Sequence, residues 1–292
     1  MHAFEYLRPE TLDEALALLA ARHGAVPVAG ATDVWVGIGA KKIAPSALVS
    51  LRRIPGLAGI GEEGGAVTLG AATTHAAVED SALVRERLPA LHRACSAVGS
   101  RQVRNVGTLG GNLCNAAPSA DSAVPLLLYD AVCVARGPGG ERAIPVAAFF
   151  LAPGRNALAP GEILTHIRVP VPPNPTYADY WKLTRRKAVE LPILGVGVRV
   201  TLEGDGDGAG VVRQARVALG VAGPTPLRAR SAEAALEGRP LTRETATEAA
   251  EAAAQEAQVR DSWRGQAWYR RQMIRVLVPR VLERAGALPS GE

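Results

Sequence analysis

The sequence predicts an α+β protein built in two parts, and three observations carry that prediction. Up to about residue 170, short apolar runs of strand length alternate with short stretches of helical period. Pro170, Pro172, Pro173 and Pro175 then fall within six residues. Each fixes φ and removes an amide donor, so the cluster suits neither a helix nor a central strand and marks a linker. Beyond it, three strand-like runs are followed by three helical ones, the order expected of an antiparallel sheet with helices packed against it. With 292 residues, 48% of them hydrophobic, the chain can bury more than one core.

In order along the chain, Thr11-Leu-Asp-Glu14 has the form of a capping box. Leu12, Ala15, Leu16 and Leu19 then recur on one helical face, and Gly24 can take the left-handed conformation that ends the helix. Residues 25–29 read as a short buried strand, broken into a turn by Gly30-Ala-Thr-Asp33, and residues 47–51 as the next strand, a small β-α-β type unit. From about Ile54 the texture changes to short strands and Gly-rich turns. Residues 67–71 are the clearest strand, Thr74 is placed to cap a helix starting at His75, and residues 89–98 read as another helix. Residues 119–129 read as helix, and 132–135 and 163–171 as strands. After the linker, strands are expected over 178–183, 193–202 and 211–221, with Gly-Asp-Gly-Asp-Gly at 204–208 as the hairpin turn, then helices around 231–237, 242–258 and 266–285.

Composition excludes several classes. The net charge of +5 comes from arginines scattered along the chain, such as Arg52, Arg104, Arg185 and Arg271, and only 4% of residues are aromatic. A nucleic-acid surface needs a concentrated basic face with stacking aromatics, so none is expected. Cys95, Cys114 and Cys133 are few and far apart, which speaks for reduced thiols and against a disulfide framework, a zinc site or an iron–sulfur cluster. The first residues lack a basic and apolar leader, and no apolar run reaches the length of a membrane span, so a cytoplasmic location is expected.

Two Gly-containing turns have the composition of ligand loops. Val28-Ala-Gly-Ala-Thr-Asp-Val34 can present successive backbone amides as a nest for phosphate oxygens, with Thr32 adding a hydroxyl and Gly30 permitting close approach. The plain alternative is a strand-to-helix turn with Asp33 as its N-cap. Arg104-Asn-Val-Gly-Thr-Leu-Gly-Gly-Asn-Leu-Cys-Asn115, with Asp121 six residues on, combines exposed amides at Gly110 and Gly111 with Thr108, Asn112 and Asn115 as neutral donors. That density of small polar groups without lysine suits a dinucleotide pyrophosphate held mainly by main chain; a Gly-rich loop with Asn turns is the other reading. The Gly-x-Gly-x-x-Gly and P-loop signatures are absent, as is Gly-x-Ser-x-Gly, and His23, His75, His92 and His166 form no nucleophile or metal pattern and are expected as surface or capping residues.

Taken in order, these segments resemble the FAD-binding medium subunits of the xanthine dehydrogenase and carbon monoxide dehydrogenase family of molybdenum hydroxylases. The resemblance runs from Phe4-Glu-Tyr-Leu-Arg-Pro9 through both loops, Pro118 and Asp121. It continues with Pro160-Gly-Glu-Ile-Leu164, Ile167-Arg-Val-Pro170 and Tyr180-Trp-Lys-Leu-Thr-Arg-Arg-Lys-Ala188, and so covers nearly the whole chain. It implies a vanillyl-alcohol-oxidase-like FAD domain of the PCMH type, in two α+β subdomains over residues 1–55 and 56–173. A C-terminal domain of antiparallel sheet and helices over 177–287 would complete it. Ala29, Gly30, Ala31, Thr32, Asp33 and Val34, with Thr108, Leu109, Gly110, Gly111 and Asn112, would wrap the pyrophosphate of FAD. Asp121 would hold the adenosine side, Leu164 would contact adenine or its surroundings, and Lys182 with residues 187–191 would approach the isoalloxazine. Ala31 departs from the family, whose loop usually reads Ala-Gly-Gly, and Ala serves there unless φ must be positive.

By the same resemblance the chain works inside an assembly, expected as a dimer of heterotrimers. A molybdopterin-binding large subunit would oxidise the substrate, a small subunit would carry electrons over [2Fe-2S] clusters, and FAD here would pass them to a small-molecule acceptor. Lys182 or Arg186 would stabilise the negative charge of reduced flavin. A self-sufficient flavin oxidase is a different reading, and it needs a base poised over the flavin that the sequence does not supply. A scaffold subunit that has lost its flavin is a third, to which Ala31 lends some weight.

Overall fold

The first helix forms where its cap requires it. The Thr11 hydroxyl accepts from the Glu14 amide at 3.1 Å, while the Glu14 carboxylate reaches back to the Glu10 amide at 2.9 Å, one residue short of the reciprocal box. A computed structural model describes residues 3–203 and 210–289. Its chain opens with β1 (Glu5–Leu7), α1 (Leu12–Ala21), β2 (Ala25–Val28), α2 (Thr32–Gly39) and β3 (Ala47–Ser50). The three strands form one parallel sheet in the order β1-β3-β2. Ala15 of α1 and Val49 pack with Ile54, Leu57 and Ile163 in a small core on one side of it. The turn at Gly30-Ala-Thr-Asp33 is shorter than expected, because the chain enters α2 at Thr32.

A second unit follows: β4 (Ile60–Glu63), β5 (Ala66–Gly70), α3 (His75–Asp80), α4 (Ala82–Arg87), α5 (Pro89–Ser96), α6 (Arg101–Arg104), α7 (Leu109–Cys114), α8 (Ala123–Leu128), β6 (Val132–Gly137) and β7 (Gly140–Pro145). The short helix α9 (Val146–Phe149), a ribbon of β8 (Phe150–Ala152) and β9 (Arg155–Asn156), and β10 (Ile163–Pro170) complete it. The sheet is antiparallel in the order β4-β5-β10-β6-β7. The largest apolar core lies on it, with Leu69, Leu91, Leu109, Leu113, Leu126 and Phe149 fully buried. Pro125 is tolerated in α8 because it stands in the first turn, where its missing amide has no helical partner to lose.

After the prolines, β11 (Thr176–Leu183), β12 (Leu194–Leu202), β13 (Val212–Gly220) and β14 (Leu227–Arg228) pair antiparallel in sequence order. The expected hairpin turn at 204–208 lies outside the described residues, although β12 and β13 on either side of it pair through eight registered positions. Helices α10 (Arg230–Leu236), α11 (Arg243–Glu256) and α12 (Ala267–Arg284) cover one face, where Ala246, Ala249, Ala250, Ala253 and Ile274 are fully buried. The other face lies on α8. A Cβ on Gly197 would stand 2.9 Å from both Leu128 Cδ1 and Val124 Cγ1, so glycine there lets the sheet reach the second unit. Asp179, 3% exposed, ties the units together by accepting from Arg93 of α5 at 2.5 Å and from Arg284 of α12. No helix among the described residues is long and apolar enough to cross a membrane.

Candidate cofactor site

In the parallel pair β2 and β3 the carboxyl ends lie side by side, the usual ligand end of such strands. The chain leaves β2 at Val28, and the Leu51 amide donates to the Val28 carbonyl at 2.8 Å, which fixes the residues after β3 beside the loop 29–34. In that loop the N–H groups of Gly30, Ala31, Thr32, Asp33 and Val34 have no hydrogen-bond partner among the described residues, and Trp35 is the first to bond back, to the Ala31 carbonyl at 2.9 Å. A row of free amides at the start of a helix carries partial positive charge and points outward, which makes it an anion cradle.

Ala31, not Asp33, is the N-cap residue, and it stands at φ +56 in the left-handed region. The position therefore requires the very conformation that favours glycine, and here it holds an alanine. The Cβ clash at this conformation costs about 1–2 kcal/mol, partly offset because alanine restricts the unfolded chain more than glycine does. Ala31→Gly should therefore raise the urea midpoint by the equivalent of about 0.5–1 kcal/mol with an unchanged m value. A variant no more stable than the parent would mean that the loop carries no strain at Ala31.

The second loop packs directly on the first. A Cβ on Gly30 would fall 2.2 Å from the Val106 carbonyl oxygen and 2.9 Å from Gly107 Cα. Thr32 Oγ1 and His75 Cδ2 both lie within 4 Å of the place a Cβ on Gly107 would take. The expectation of free amides at Gly110 and Gly111 is corrected, because these residues open helix α7 and their donors are engaged. The Leu109 amide donates to Thr73 O at 2.9 Å and the Gly110 amide to Ala71 O at 2.8 Å. Thr108, as N-cap, takes the Gly111 amide on its hydroxyl and the Asn112 amide on its carbonyl. Gly110 is needed for that closeness: a Cβ would meet Ala71 O at 2.6 Å. Arg104, which heads this motif, is held by Glu79 at 2.8 Å and by the Val98 carbonyl.

His75 departs from the surface or capping role expected of it, since Thr74 is the cap of α3. It is 2% exposed, its Nδ1 has no partner, and burial followed by the nearby Arg104 charge lowers its pKa to about 4, so it is neutral at physiological pH. A buried polar atom left alone costs on the order of 1–3 kcal/mol, so this atom at the junction of the two loops is one a bound group would satisfy.

Asp121 and Lys182 lie together. Lys182 Nζ donates to Asp121 Oδ2 at 2.8 Å and to the Ala97 carbonyl at 2.9 Å, and the Tyr180 hydroxyl donates to Asp121 Oδ1 at 2.7 Å. Burial holds the Asp121 carboxyl above the usual carboxylate range, against the pull of Lys182 and Tyr180. The two side chains therefore cannot serve opposite ends of an extended dinucleotide, one the adenosine and the other the isoalloxazine. The Asn112 side chain accepts from Ser122 at 2.7 Å, which fixes it beside Asp121. Leu164 is 3% exposed and belongs to the main core. In the segment 187–191, Val189 is exposed and donates its amide to Gly99 O at 3.1 Å, while Arg186 turns to the Val189 carbonyl.

Sequence reasoning missed the wall of the site. A cleft of about 710 Å3 runs along the first loop, lined by Ala29, Gly30, Ala31 and Thr32 together with Phe4, Tyr6, Trp35, Arg52 and Gln102. In a chain with only 4% aromatic residues, three aromatics on one cleft stand out, and the rings of Phe4 and Trp35 lie 5.9 Å apart. The signal lay at β1, where Phe4 just before the strand and Tyr6 within it are alternate residues of an extended chain and point the same way, but a three-residue strand carries too little pattern to reveal it.

A free amide row, glycines closing two loops to contact and an aromatic cleft fit a flavin dinucleotide, and they define a flavin-binding class of protein. Residues 2–172 match the family described as FAD binding domain in molybdopterin dehydrogenase, and residues 179–285 match the CO dehydrogenase flavoprotein C-terminal domain. The chain thus belongs to the FAD-binding medium subunits of the xanthine dehydrogenase and carbon monoxide dehydrogenase family, whose members are parts of oxidoreductases. It is 33% identical over 289 residues to the xanthine dehydrogenase FAD-binding subunit of Escherichia coli O157:H7, covering 98% of this chain and 97% of that one. It is also 33% identical over 285 residues to the carbon monoxide dehydrogenase medium chain of Hydrogenophaga pseudoflava, covering 97% of each. The solved carbon monoxide dehydrogenase of that organism superposes with a TM-score of 0.92 over 98% of both chains, at 34% identity.

Proposed function

We propose that this chain holds FAD as the electron outlet of a molybdenum hydroxylase, between the [2Fe-2S] clusters of a small subunit and an external acceptor. The substrate would be oxidised on a molybdopterin-binding large subunit, in a cytoplasmic dimer of heterotrimers. The observation that carries this reading is the row of unpartnered amides from Gly30 to Val34 at the mouth of an aromatic cleft.

When bound, FAD supplies the two-electron carrier, and the protein's part is position and electrostatics. The amides of residues 30–34 and Thr32 hold the pyrophosphate through main-chain donors that need no reorganisation. Gly30 keeps the first loop against residues 106–107, and Gly110 keeps the second loop against Ala71. Asp121 and Lys182 act as one pair, which we assign to a single end of the cofactor. That end is the isoalloxazine, since Lys182 comes from the C-terminal sheet and Asp121 is bonded to it. The exchange of electrons is tested on the native assembly, purified through a tag on this chain. Adding the substrate that reduces the partner clusters should bleach the flavin band within the same turnover. A flavin that stays oxidised while the clusters are reduced contradicts the relay.

A further inference from the structure

FAD reaches the first loop as a pyrophosphate diester with two negative charges, and main-chain amides offer only partial charges against them. Arg52 is the only lysine, arginine or histidine among the described residues that line the cleft along that loop. It follows β3 by two residues, and the Leu51 amide bonded to Val28 O at 2.8 Å sets its backbone at the root of the loop 29–34. Most arginines of the second unit are already paired, Arg87 with Glu62, Arg101 with Asp80 and Arg104 with Glu79. Arg52 is exposed and has neither an ion pair nor a hydrogen bond among the described residues.

We propose that Arg52 binds a phosphate of the FAD pyrophosphate, as the charged partner to the amide row of residues 30–34. The inference rests on FAD lying against the first loop. The Arg52 guanidinium presents forked donors that match phosphate oxygens two at a time, and it has no ion pair among the described residues to break in making that contact. The amides fix where the phosphates sit, and Arg52 offsets one of their two charges. Because Arg52 follows the strand next to the loop by two residues and is not part of the loop itself, the contact also braces the end of β3 against the bound cofactor.

The test is FAD affinity, measured by titrating FAD into deflavinated protein in the assembly that co-purifies with it, at low and at raised salt. Hydrogen bonds to charged groups typically correspond to about 10- to 100-fold in affinity. Arg52→Ala should weaken FAD binding by about that factor at low salt, and the gap to wild type should narrow as salt screens it. Arg52→Lys, which keeps the charge and loses the fork, should fall between the two. An Arg52→Ala affinity within twofold of wild type overturns the proposal, and so does a defect that is shared by Arg52→Lys and indifferent to salt, since that is a packing effect. Wild-type protein that takes no FAD overturns the flavin reading of the cleft itself, and that outcome is seen before any variant is made.

Discussion

Replacing Lys182 by methionine should destabilise the protein by about 3–5 kcal/mol, because it leaves Asp121 as a buried carboxylate without its counter-ion. Both side chains are nearly out of water, at 9% and 5% exposure, and Asp121 then keeps only the Tyr180 hydroxyl as a donor. The effect should depend on pH, with a sign that follows from the geometry. Asp121 already titrates above its unfolded value because of burial, so its ionised form costs stability above the folded pKa, and the cost is relieved as pH falls through it. Without Lys182 the carboxyl is pushed higher still. The gap between wild type and Lys182→Met should therefore be widest at neutral pH and should shrink on acidification. Adding Asp121→Asn to Lys182→Met should recover much of the loss, because a neutral amide pays far less for burial than a charge. Urea unfolding of the three proteins at two pH values is the measurement. A Lys182→Met loss below 1 kcal/mol, or one that grows in acid, would show that the pair does not stabilise the junction of the two units.

Gly30→Ala should be comparably severe and should act on the cofactor as well. Its Cβ would have to stand 2.2 Å from the Val106 carbonyl oxygen, a backbone atom that no rotamer change can move aside. Overpacking of this kind costs about 1–3 kcal/mol, and with backbone as the obstacle the upper end is expected. The loop can relieve the clash only by pulling away from residues 106–107, which misaims the amide row. Losing two or more contacts of the charged type should weaken FAD by about 100-fold or more. Gly39→Ala is the matched control, since a Cβ there meets nothing within 4 Å. In helix α2 it should stabilise by up to about 1 kcal/mol. Equal FAD affinity in Gly30→Ala and wild type would show that the contact between the loops does not shape the site.

The sequence made the C-terminal half legible because its signals are long and regular. The runs at 193–202 and 211–221 became β12 and β13, and the helical periods over 242–258 and 266–285 became α11 and α12, each trimmed by a residue or two at its ends. Short elements were hidden. Strand β1 has three residues, and α2 reads Thr-Asp-Val-Trp-Val-Gly-Ile-Gly, two glycines and several β-branched residues whose weak helix propensity gives no sign of a helix. It forms because the turn at Ala31 starts it. Helices α6 and α7, at four and six residues, are likewise held by Ser100 and Thr108 caps rather than by period.

The site was legible in its loops and not in its walls. Gly30, Thr32 and the Gly110-Gly111 pair could be picked out one loop at a time. That they touch, with Gly30 against Val106, depends on how two sheets pack, which no local pattern encodes. The Asp121 and Lys182 pairing spans 61 residues, and Arg52 enters only through the parallel pairing of β2 with β3. One signal was available for Arg52: a strand parallel to β2 has to end beside it, so the residues after β3 have to face the loop. The positive φ of Ala31 was also foreshadowed, since a glycine expected at that place is a statement about backbone conformation.

The central claim is that the amides of residues 30–34 take the pyrophosphate of FAD, and a crystal structure of the flavin-loaded protein tests it most directly. The expected result is phosphate oxygens within 2.7–3.2 Å of several of those five N–H groups, with Gly30 still against Val106 and Arg52 turned onto one phosphate. A pyrophosphate bound elsewhere, with the five amides facing only solvent, would contradict the account.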